Sequence, residues 1–375
     1  MVRGGPDADG WPRLRDSIVV QRDGDELLFV LTASRTVKRF AVDGMVLRLL
    51  PLLDGRSSVE QLARLVDGDA ADLAEVLALM RREKLLSRNA DPTTTQALGC
   101  DRVAYYDRQL RLFQDFCDEG LTDDHDGARL QRRLERATVL ICGIGGLGSW
   151  VAHCLAAAGV GTLRLCDFDV VEASNLTRQV LFAAADIGRS KVDAARDRLR
   201  AVNPQVTVMG INRRVGGAAD LTDLVAGADL AIGCADQPDV VTVADWVTEA
   251  CWPAIPHIIG GGYAYHIGIL GVTVLPGRSA CWRCVRAETR TDHGRDRAEP
   301  FIGKRPLAGA TGALAGLVGS AVAWEAIRVL TGLPSAFADR WTEIDYWPMQ
   351  VLTRAIPRRP HCPLCGTGRG AAEGS

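Results

Sequence analysis

The sequence predicts an α/β protein whose doubly wound parallel sheet follows a small separate N-terminal domain. From residue 137 onward, apolar strand-like runs alternate with helical patterns. A glycine-rich turn at 143–148 joins one such run to an alanine-rich helical pattern. The first ~85 residues show a hairpin pattern and short helices instead. The strands predicted for the sheet, with the last part antiparallel or mixed, are 137–143, 162–167, 206–211, 228–233, 256–260 and 267–275.

Composition restricts the class of protein. The chain has 375 residues, 47% hydrophobic and 24% charged, with a net charge of −2. Two or three domains of ordinary size fit this length. Such a small net charge gives no field that favours nucleic acid or a membrane surface as a partner. The N-terminus lacks the apolar core of a signal peptide, and no uninterrupted apolar run reaches the ~20 residues that span a bilayer. We therefore expect a cytoplasmic protein.

Residues 1–87 are expected to form a winged-helix-like domain. Two strands, at 17–20 and 26–30, flank an Asp23-Gly24 turn. Helical faces follow, the second of which opens with a capping box at 57–60. The rest of the chain is divided by the same reasoning into a polar linker at 88–102, a catalytic domain at 103–365 with a charged crossover loop at 285–306, and a disordered tail at 366–375.

The glycine-rich turn predicts a phosphate-binding site. Gly143, Gly145, Gly146 and Gly148 follow a strand and open a helix. Missing side chains let phosphates approach the backbone, and the helix N-terminus supplies aligned N–H groups. Dinucleotide-binding folds share this pattern, and Asp167, about 20 residues further on, would suit the ribose of NAD as well as that of ATP.

Cationic and acidic residues shift the balance towards ATP. Arg178 and Lys191 can reach a triphosphate, and Asp236, after the apolar run 230–235, can hold Mg²⁺. Arg, Lys and a metal ion stabilise the negative charge that grows at the α-phosphate as pyrophosphate leaves. This is more cationic and metal-directed chemistry than a redox cofactor needs, so an ATP-dependent activating enzyme is the leading hypothesis.

The glycine turn, CDFDVVEASNLTRQ and GRSK together resemble the adenylation domain of the ThiF/MoeB superfamily, relatives of the ubiquitin-activating enzymes, over roughly residues 105–365. The resemblance implies a Rossmann-like sheet and adenylation of a C-terminal carboxylate with MgATP. It assigns Asp167 to the ribose and Asp169 to the ribose or the metal. It assigns Asn175, Arg178 and Lys191 to the phosphates, and Asp236 to Mg²⁺. Gly233 stands where the family often has an acid.

The segment 105–110 resembles the family's N-terminal helix. The arginine of that helix reaches into the site of the partner subunit. The resemblance therefore implies that Arg108 is an arginine finger and that the protein is a homodimer.

Eleven cysteines, an odd number, argue against a complete disulfide framework. Cys281 and Cys284 form one C-x-x-C unit, and Cys362 and Cys365 form another. A lone C-x-x-C could be a redox pair, but two separated pairs favour a tetrahedral structural Zn²⁺ site. The resembled family has zinc at these places.

No cysteine lies between Cys284 and Cys362. Members of the family that transfer sulfur or ubiquitin use a further cysteine near the crossover loop. A nucleophile cannot be replaced by its surroundings, so thioester transfer is not expected here. The acyl adenylate itself is then the activated species.

Part of the N-terminal domain resembles PqqD-like peptide-recognition domains (RiPP recognition elements), which bind a leader peptide as an added strand. A DNA-binding winged helix is the alternative, but the third helical segment begins acidic, with Asp72 and Glu75. The fusion resembles the maturation enzymes of microcin C and of pantocin-type peptides. The main hypothesis is leader-dependent adenylation of a ribosomally made precursor peptide, with ATP, Mg²⁺ and structural Zn²⁺. Activation of a ubiquitin-like sulfur carrier, a non-catalytic leader-binding adaptor and a dehydrogenase are the alternatives.

Overall fold

The structure, a computed structural model, describes residues 11–88, 95, 97–291 and 309–366. The chain divides into two compact units, Met1–Arg132 and Arg133–Ser375. The boundary differs from the expected linker at 88–102, because helices predicted for the catalytic domain belong to the first unit. Most of the predicted crossover loop (residues 292–306) and all but the first residue of the predicted tail lie outside the described residues.

The first unit contains a three-stranded antiparallel sheet of order β1-β2-β3 and several helices. Its core includes Phe29, Leu49, Leu62 and Leu73, all nearly inaccessible to solvent. The third strand was not predicted from the sequence. The elements are β1 (Ile18–Asp23), β2 (Glu26–Leu31), β3 (Thr36–Ala41), α1 (Gly44–Leu49), α2 (Val59–Val66), α3 (Ala70–Arg82), α4 (Cys100–Tyr105), α5 (Asp107–Glu119) and α6 (Gly127–Arg136), the last of which crosses the boundary.

A buried arginine ties the start of the chain to α5. The Arg15 side chain is 1% exposed, and its guanidinium lies 2.6 Å from Asp115 and 2.7 Å from Glu119. Asp118 lies 3.8 Å away. A buried charge without partners would be costly, so Arg15 and these carboxylates must be kept together. The segment before β1 and helix α5 are therefore held together within the first unit.

The second unit is built on a six-stranded sheet of order β11-β8-β7-β4-β5-β6. Five strands are parallel, and β11 is antiparallel to β8, which agrees with the expected mixed edge. The chain runs outward from β4 through β5 to β6 and then crosses to β7 on the other side. Such a switch places a crevice at the carboxyl ends of β4 and β7. The strands are β4 (Thr138–Cys142), β5 (Thr162–Asp167), β6 (Thr207–Asn212), β7 (Leu230–Gly233), β8 (His257–Ile259) and β11 (Val272–Val274).

A separate four-stranded antiparallel sheet has the order β13-β12-β10-β9. The single strand expected at 267–275 is wrong: it is split between the two sheets at Gly271, whose φ is +80°. A Cβ at Gly271 would lie 2.5 Å from the carbonyl oxygen of Ile259, so only glycine permits this turn. The strands are β9 (Gly262–Ala264), β10 (Ile267–Ile269), β12 (Arg340–Asp345) and β13 (Gln350–Ala355).

One helix of the second unit, Gly312–Thr331, is long and apolar enough to cross a membrane by composition alone. It packs closely against the helix that follows the glycine turn, and Cβ atoms at Gly316 and Gly319 would crowd Trp150 there. Half of its most apolar window is buried within the described structure. The helices of this unit are α7 (Gly146–Ala157), α8 (Lys191–Val202), α9 (Thr222–Val225), α10 (Val240–Cys251), α11 (Trp282–Thr291) and α12 (Gly312–Thr331).

A buried histidine in β8 should make stability depend on pH. His257 is fully buried, and burial lowers its pKa to about 4. In the unfolded chain the imidazole titrates near ~6.5. As pH falls from that value towards 4, the unfolded state takes up a proton and the folded state does not. The free energy of unfolding should therefore drop by roughly 3 kcal/mol over this range from this residue alone.

The comparison is urea unfolding of the wild-type protein and His257→Gln at pH 7.5 and 4.5. The variant should lose less stability on acidification than the wild type by about 2 kcal/mol. His266→Gln, at an exposed position, is the control and should follow the wild type. Equal losses in the wild type and His257→Gln would contradict the assignment.

Candidate active site

A cavity of about 490 Å³ opens at the carboxyl ends of β4, β5 and β7. This is the crevice at which the strand order reverses, where open α/β sheets bind ligands. Nearly all of the residues predicted for the nucleotide line it: Gly143, Gly145, Gly146, Asp167, Asp169, Asn175, Arg178, Lys191 and Asp236.

The glycine turn is shaped by close contacts. Gly143 has a φ of +94°, and a Cβ there would lie 2.5 Å from the amide nitrogen of Ala235. Gly148 contributes indirectly, because a Cβ there would collide with the carbonyl oxygen of Gly143. Both glycines let β4 turn sharply into α7, whose N-terminus faces the cavity.

Asp167 at the end of β5 holds the turn in place. One carboxylate oxygen accepts a hydrogen bond from the amide of Ile144 at 2.6 Å. The other accepts from the amide of Asp169 at 2.9 Å. Each oxygen keeps a further acceptor site, so the carboxylate can still accept hydrogen bonds from ribose hydroxyls.

Lys191 and Asp169 form an ion pair within the cavity wall. The Lys191 ammonium lies 2.8 Å from the Asp169 carboxylate, and its side chain is 8% exposed. The nearby carboxylate offsets the cost of placing a positive charge in this nearly buried position. A lysine held in this way presents a fixed positive charge to an anionic ligand.

Arg178 and Asn175 lie on the loop after β5. The Arg178 guanidinium donates to the carbonyl of Ser174 at 2.7 Å, and the Trp150 indole donates to the carbonyl of Arg178 at 3.1 Å. Asn175 is buried, and its side chain accepts from the amide of Glu172 at 3.1 Å. These bonds fix the loop, so both side chains enter the cavity from an ordered backbone.

The two remaining predicted residues are exposed. Asp236 follows β7 and reaches the cavity from the side opposite β5. Arg108 lies in the first unit at the start of α5, with its side chain 94% exposed and Asp107 3.9 Å away. All the residues described as lining the cavity belong to the second unit, so Arg108 is not among them.

Other residues of the cavity were not predicted. Tyr263 of β9 lies beside Gly146 and Arg178. The Phe168 ring is covered by the Arg214 guanidinium at 4.0 Å. Cys142, Cys166 and Cys234 also touch the cavity. Of these residues, only Phe168 could have been predicted from the sequence, because it stands between the two predicted aspartates.

The four paired cysteines meet as expected from their spacing. The thiol sulfurs of Cys281, Cys284, Cys362 and Cys365 all lie within 4.8 Å of one another and are buried. The Cys281 and Cys362 sulfurs are 3.5 Å apart, and the amide of Arg359 donates to Cys284. Four converging sulfurs with a backbone donor fit a tetrahedral Zn²⁺ ion. A second cavity of about 660 Å³ beside them, lined by Trp252 and Arg283 among others, contains none of the predicted nucleotide residues.

Comparison with known proteins places the chain in one family. Residues 106–364 match the model of the ThiF family. The molybdopterin-synthase adenylyltransferase of Escherichia coli K12 is 33% identical over 247 residues, which are 65% of this chain and 91% of that protein. The sulfur carrier protein ThiS adenylyltransferase of the same organism is 35% identical over 236 residues, covering 63% of this chain and 88% of that protein.

Solved structures resemble more of the chain. The crystal structure of E. coli MccB with AMPCPP and MccA has a TM-score of 0.72 and 21% identity, and covers 95% of this chain and 100% of that one. The crystal structure of PaaA has a TM-score of 0.71 and 23% identity, and covers 91% of this chain and 99% of that one. At these identities the likeness concerns the fold.

Proposed function

Because this chain belongs to the ThiF family and is an ATP-dependent adenylyltransferase, we propose that it adenylates a carboxylate of a ribosomally made precursor peptide whose leader binds the first unit. The proposal depends on one observation: the chain has both a nucleotide cavity and an N-terminal sheet whose strand β3 pairs, among the residues described, with β2 alone. The adenylyltransferase relatives that act on sulfur carriers or carry a sulfurtransferase name match 63–78% of this chain, whereas the likeness to MccB covers 95% of it.

The first unit offers a place for an added strand. Among the described residues, β3 pairs with β2 only, so its outer edge has unpaired backbone groups. Lys38 of β3 lies 2.8 Å from the carboxylate of Glu83, the residue after the last turn of α3, which ties the C-terminal end of that helix to this strand. An extended leader can pair with β3 while its side chains contact α3, in the manner of PqqD-like and winged-helix-like peptide readers.

The cavity residues suit carboxyl activation. The substrate carboxylate attacks the α-phosphorus of ATP, the bond to the bridging oxygen breaks, and pyrophosphate leaves with that oxygen. Arg178 and Lys191 balance the charge on the phosphates. The exposed carboxylate of Asp236 would hold Mg²⁺ together with phosphate oxygens, which is the usual arrangement for this ion. Asp167 would bind the ribose.

Two further assignments belong to the same proposal. Exposed Arg108 would enter the cavity of a second copy, so the active form would be a homodimer. The four clustered cysteines would hold structural zinc.

Activation of a sulfur carrier is the second candidate, favoured by the names of the curated relatives. The absence of a cysteine between Cys284 and Cys362 disfavours thioester or persulfide transfer after adenylation. A carrier could still be adenylated, so substrates must decide between the two.

ATP–pyrophosphate exchange tests the proposal. The full chain is assayed with a candidate precursor peptide encoded beside its gene, with the same peptide lacking its leader, and with the sulfur carrier ThiS. We expect the intact peptide to stimulate exchange at least about tenfold. Leader removal should lower kcat/KM by roughly 100-fold, since tethering supplies an effective concentration near ~mM.

Stimulation by ThiS and none by the peptide would overturn the proposal in favour of the second candidate. Equal stimulation with and without the leader would remove the role of the first unit while leaving peptide adenylation intact. A variant with Val37→Pro on the exposed part of β3 separates these cases, because proline removes a backbone donor from the edge.

A further inference from the structure

Tyr263 contacts the glycine-rich turn at 143–148 from a strand outside the six-stranded sheet. It lies in β9, at the edge of the four-stranded sheet, and lines the cavity. A Cβ built on Gly146 would collide with the Tyr263 hydroxyl. Gly146 opens α7, so the hydroxyl lies against the first residue of a 12-residue helix. Glycine is therefore needed here to leave room for the tyrosine as well as for a phosphate.

The hydroxyl is surrounded by the groups expected at the α-phosphate. The Arg178 side chain lies beside the same point, with its Cγ 3.6 Å from a Cβ built on Gly146, and Asp236 lines the same cavity. Burial raises the pKa of Tyr263, so the phenol keeps its proton at neutral pH. A phenol can both donate and accept, so its oxygen can accept from a neighbouring guanidinium while its own proton remains available to a ligand.

We propose that the Tyr263 hydroxyl donates a hydrogen bond to an oxygen of the α-phosphate of bound adenine nucleotide. The inference rests on the proposed function in taking this cavity as the ATP site. It adds a neutral donor to the charged residues Arg178 and Lys191. The N-terminus of α7, Arg178 and Tyr263 would then contact the phosphate from different directions.

The position of the hydroxyl also permits the opposite role. A side chain resting on the helix N-terminus could occupy the place of a phosphate oxygen and would have to leave before nucleotide binds. The two roles predict opposite changes in affinity when the hydroxyl is removed. Loss of a hydrogen-bond donor weakens the binding of phosphate-bearing ligands, whereas loss of a group that blocks the phosphate position strengthens it. Binding measurements on the full chain therefore decide between them without any peptide.

The experiment is isothermal titration calorimetry of wild-type protein and Tyr263→Phe with adenosine, AMP and MgATP. A hydrogen bond to a charged group contributes enough that its loss should raise Kd for AMP and MgATP about tenfold or more. Kd for adenosine, which has no phosphate, should stay within about twofold. The control is Tyr265→Phe, at a half-exposed tyrosine on the same hairpin, and should leave all three values unchanged.

Unchanged or tighter binding of AMP and MgATP by Tyr263→Phe overturns the proposal, as does a wild-type protein that binds neither. An equal rise in Kd for adenosine also overturns it, because adenosine has no phosphate and the rise would show that the substitution distorts the pocket. Failure of every peptide in the exchange assay would count against the proposed function alone, since these titrations need no acceptor carboxylate.

Discussion

Asp236→Asn is expected to lower peptide-stimulated ATP–pyrophosphate exchange by about 100- to 1,000-fold. The substitution keeps the shape of the side chain and removes its charge, so Mg²⁺ loses its protein carboxylate. Charge then accumulates on the α-phosphate without full compensation at the step where pyrophosphate leaves. Because Asp236 is exposed at the cavity mouth, its loss should leave the thermal unfolding midpoint within about 1–2 °C of the wild type.

Asp239→Asn is the matched control, three positions along the same loop. The Asp239 carboxylate caps α10 by accepting from the amide of Thr242 at 2.9 Å, and an asparagine oxygen can do the same. This variant should retain exchange activity. Near-normal exchange by Asp236→Asn, at saturating and at low Mg²⁺, would remove Asp236 from the chemistry.

Cys362→Ala is expected to abolish zinc binding and to lower the unfolding midpoint of the second unit by roughly 10 °C or more. Structural zinc in small domains contributes about 10 kcal/mol or more of apparent binding energy, and here part of it would be lost. For a unit of this size each kcal/mol shifts the midpoint by about 2–4 °C. Metal analysis and calorimetry of purified protein test both parts, and a strong chelator should reproduce the shift in the wild-type protein.

Cys251→Ala separates zinc from packing. Cys251 is buried in the same apolar cluster as the four cysteines but is not one of them. Its replacement should cost about 1 kcal/mol and leave the zinc content at one ion per chain. Purified wild-type protein that contains no zinc, and whose unfolding midpoint the chelator leaves unchanged, would contradict the zinc site.

Much of the second unit could be predicted because its signals are local. The run before Gly143 is apolar and the glycines force a turn, so β4 and α7 follow from adjacent residues. The division of 267–275 could not be predicted, because a continuous apolar run fits a strand in either sheet. Strand β3 was missed because Lys38 and Arg39 interrupt its apolar pattern, and its pairing with β2 is what makes it a strand.

The residues of the candidate site also fall into those that could be predicted from the sequence and those that could not. Asp167, Asn175, Arg178 and Lys191 belong to one continuous stretch, and the structure brings them to one cavity. Tyr263 comes from a different sheet and meets Gly146 only through the tertiary fold. Nothing in the residues around a lone tyrosine marks such a contact. The place of Arg108 relative to a cavity depends on a second copy and remains a prediction.

The buried Arg15 determines where this chain can be joined to a relative in a chimera. A chimera joined near residue 88 would separate Arg15 from Asp115, Asp118 and Glu119, leaving three carboxylates on α5 without their guanidinium. A junction near 132 keeps the four side chains in one parent. The segment that can be transplanted is then the three-stranded sheet β1–β3 together with α5. Arg108, which lies on α5, would be transferred with the sheet edge proposed to select the peptide.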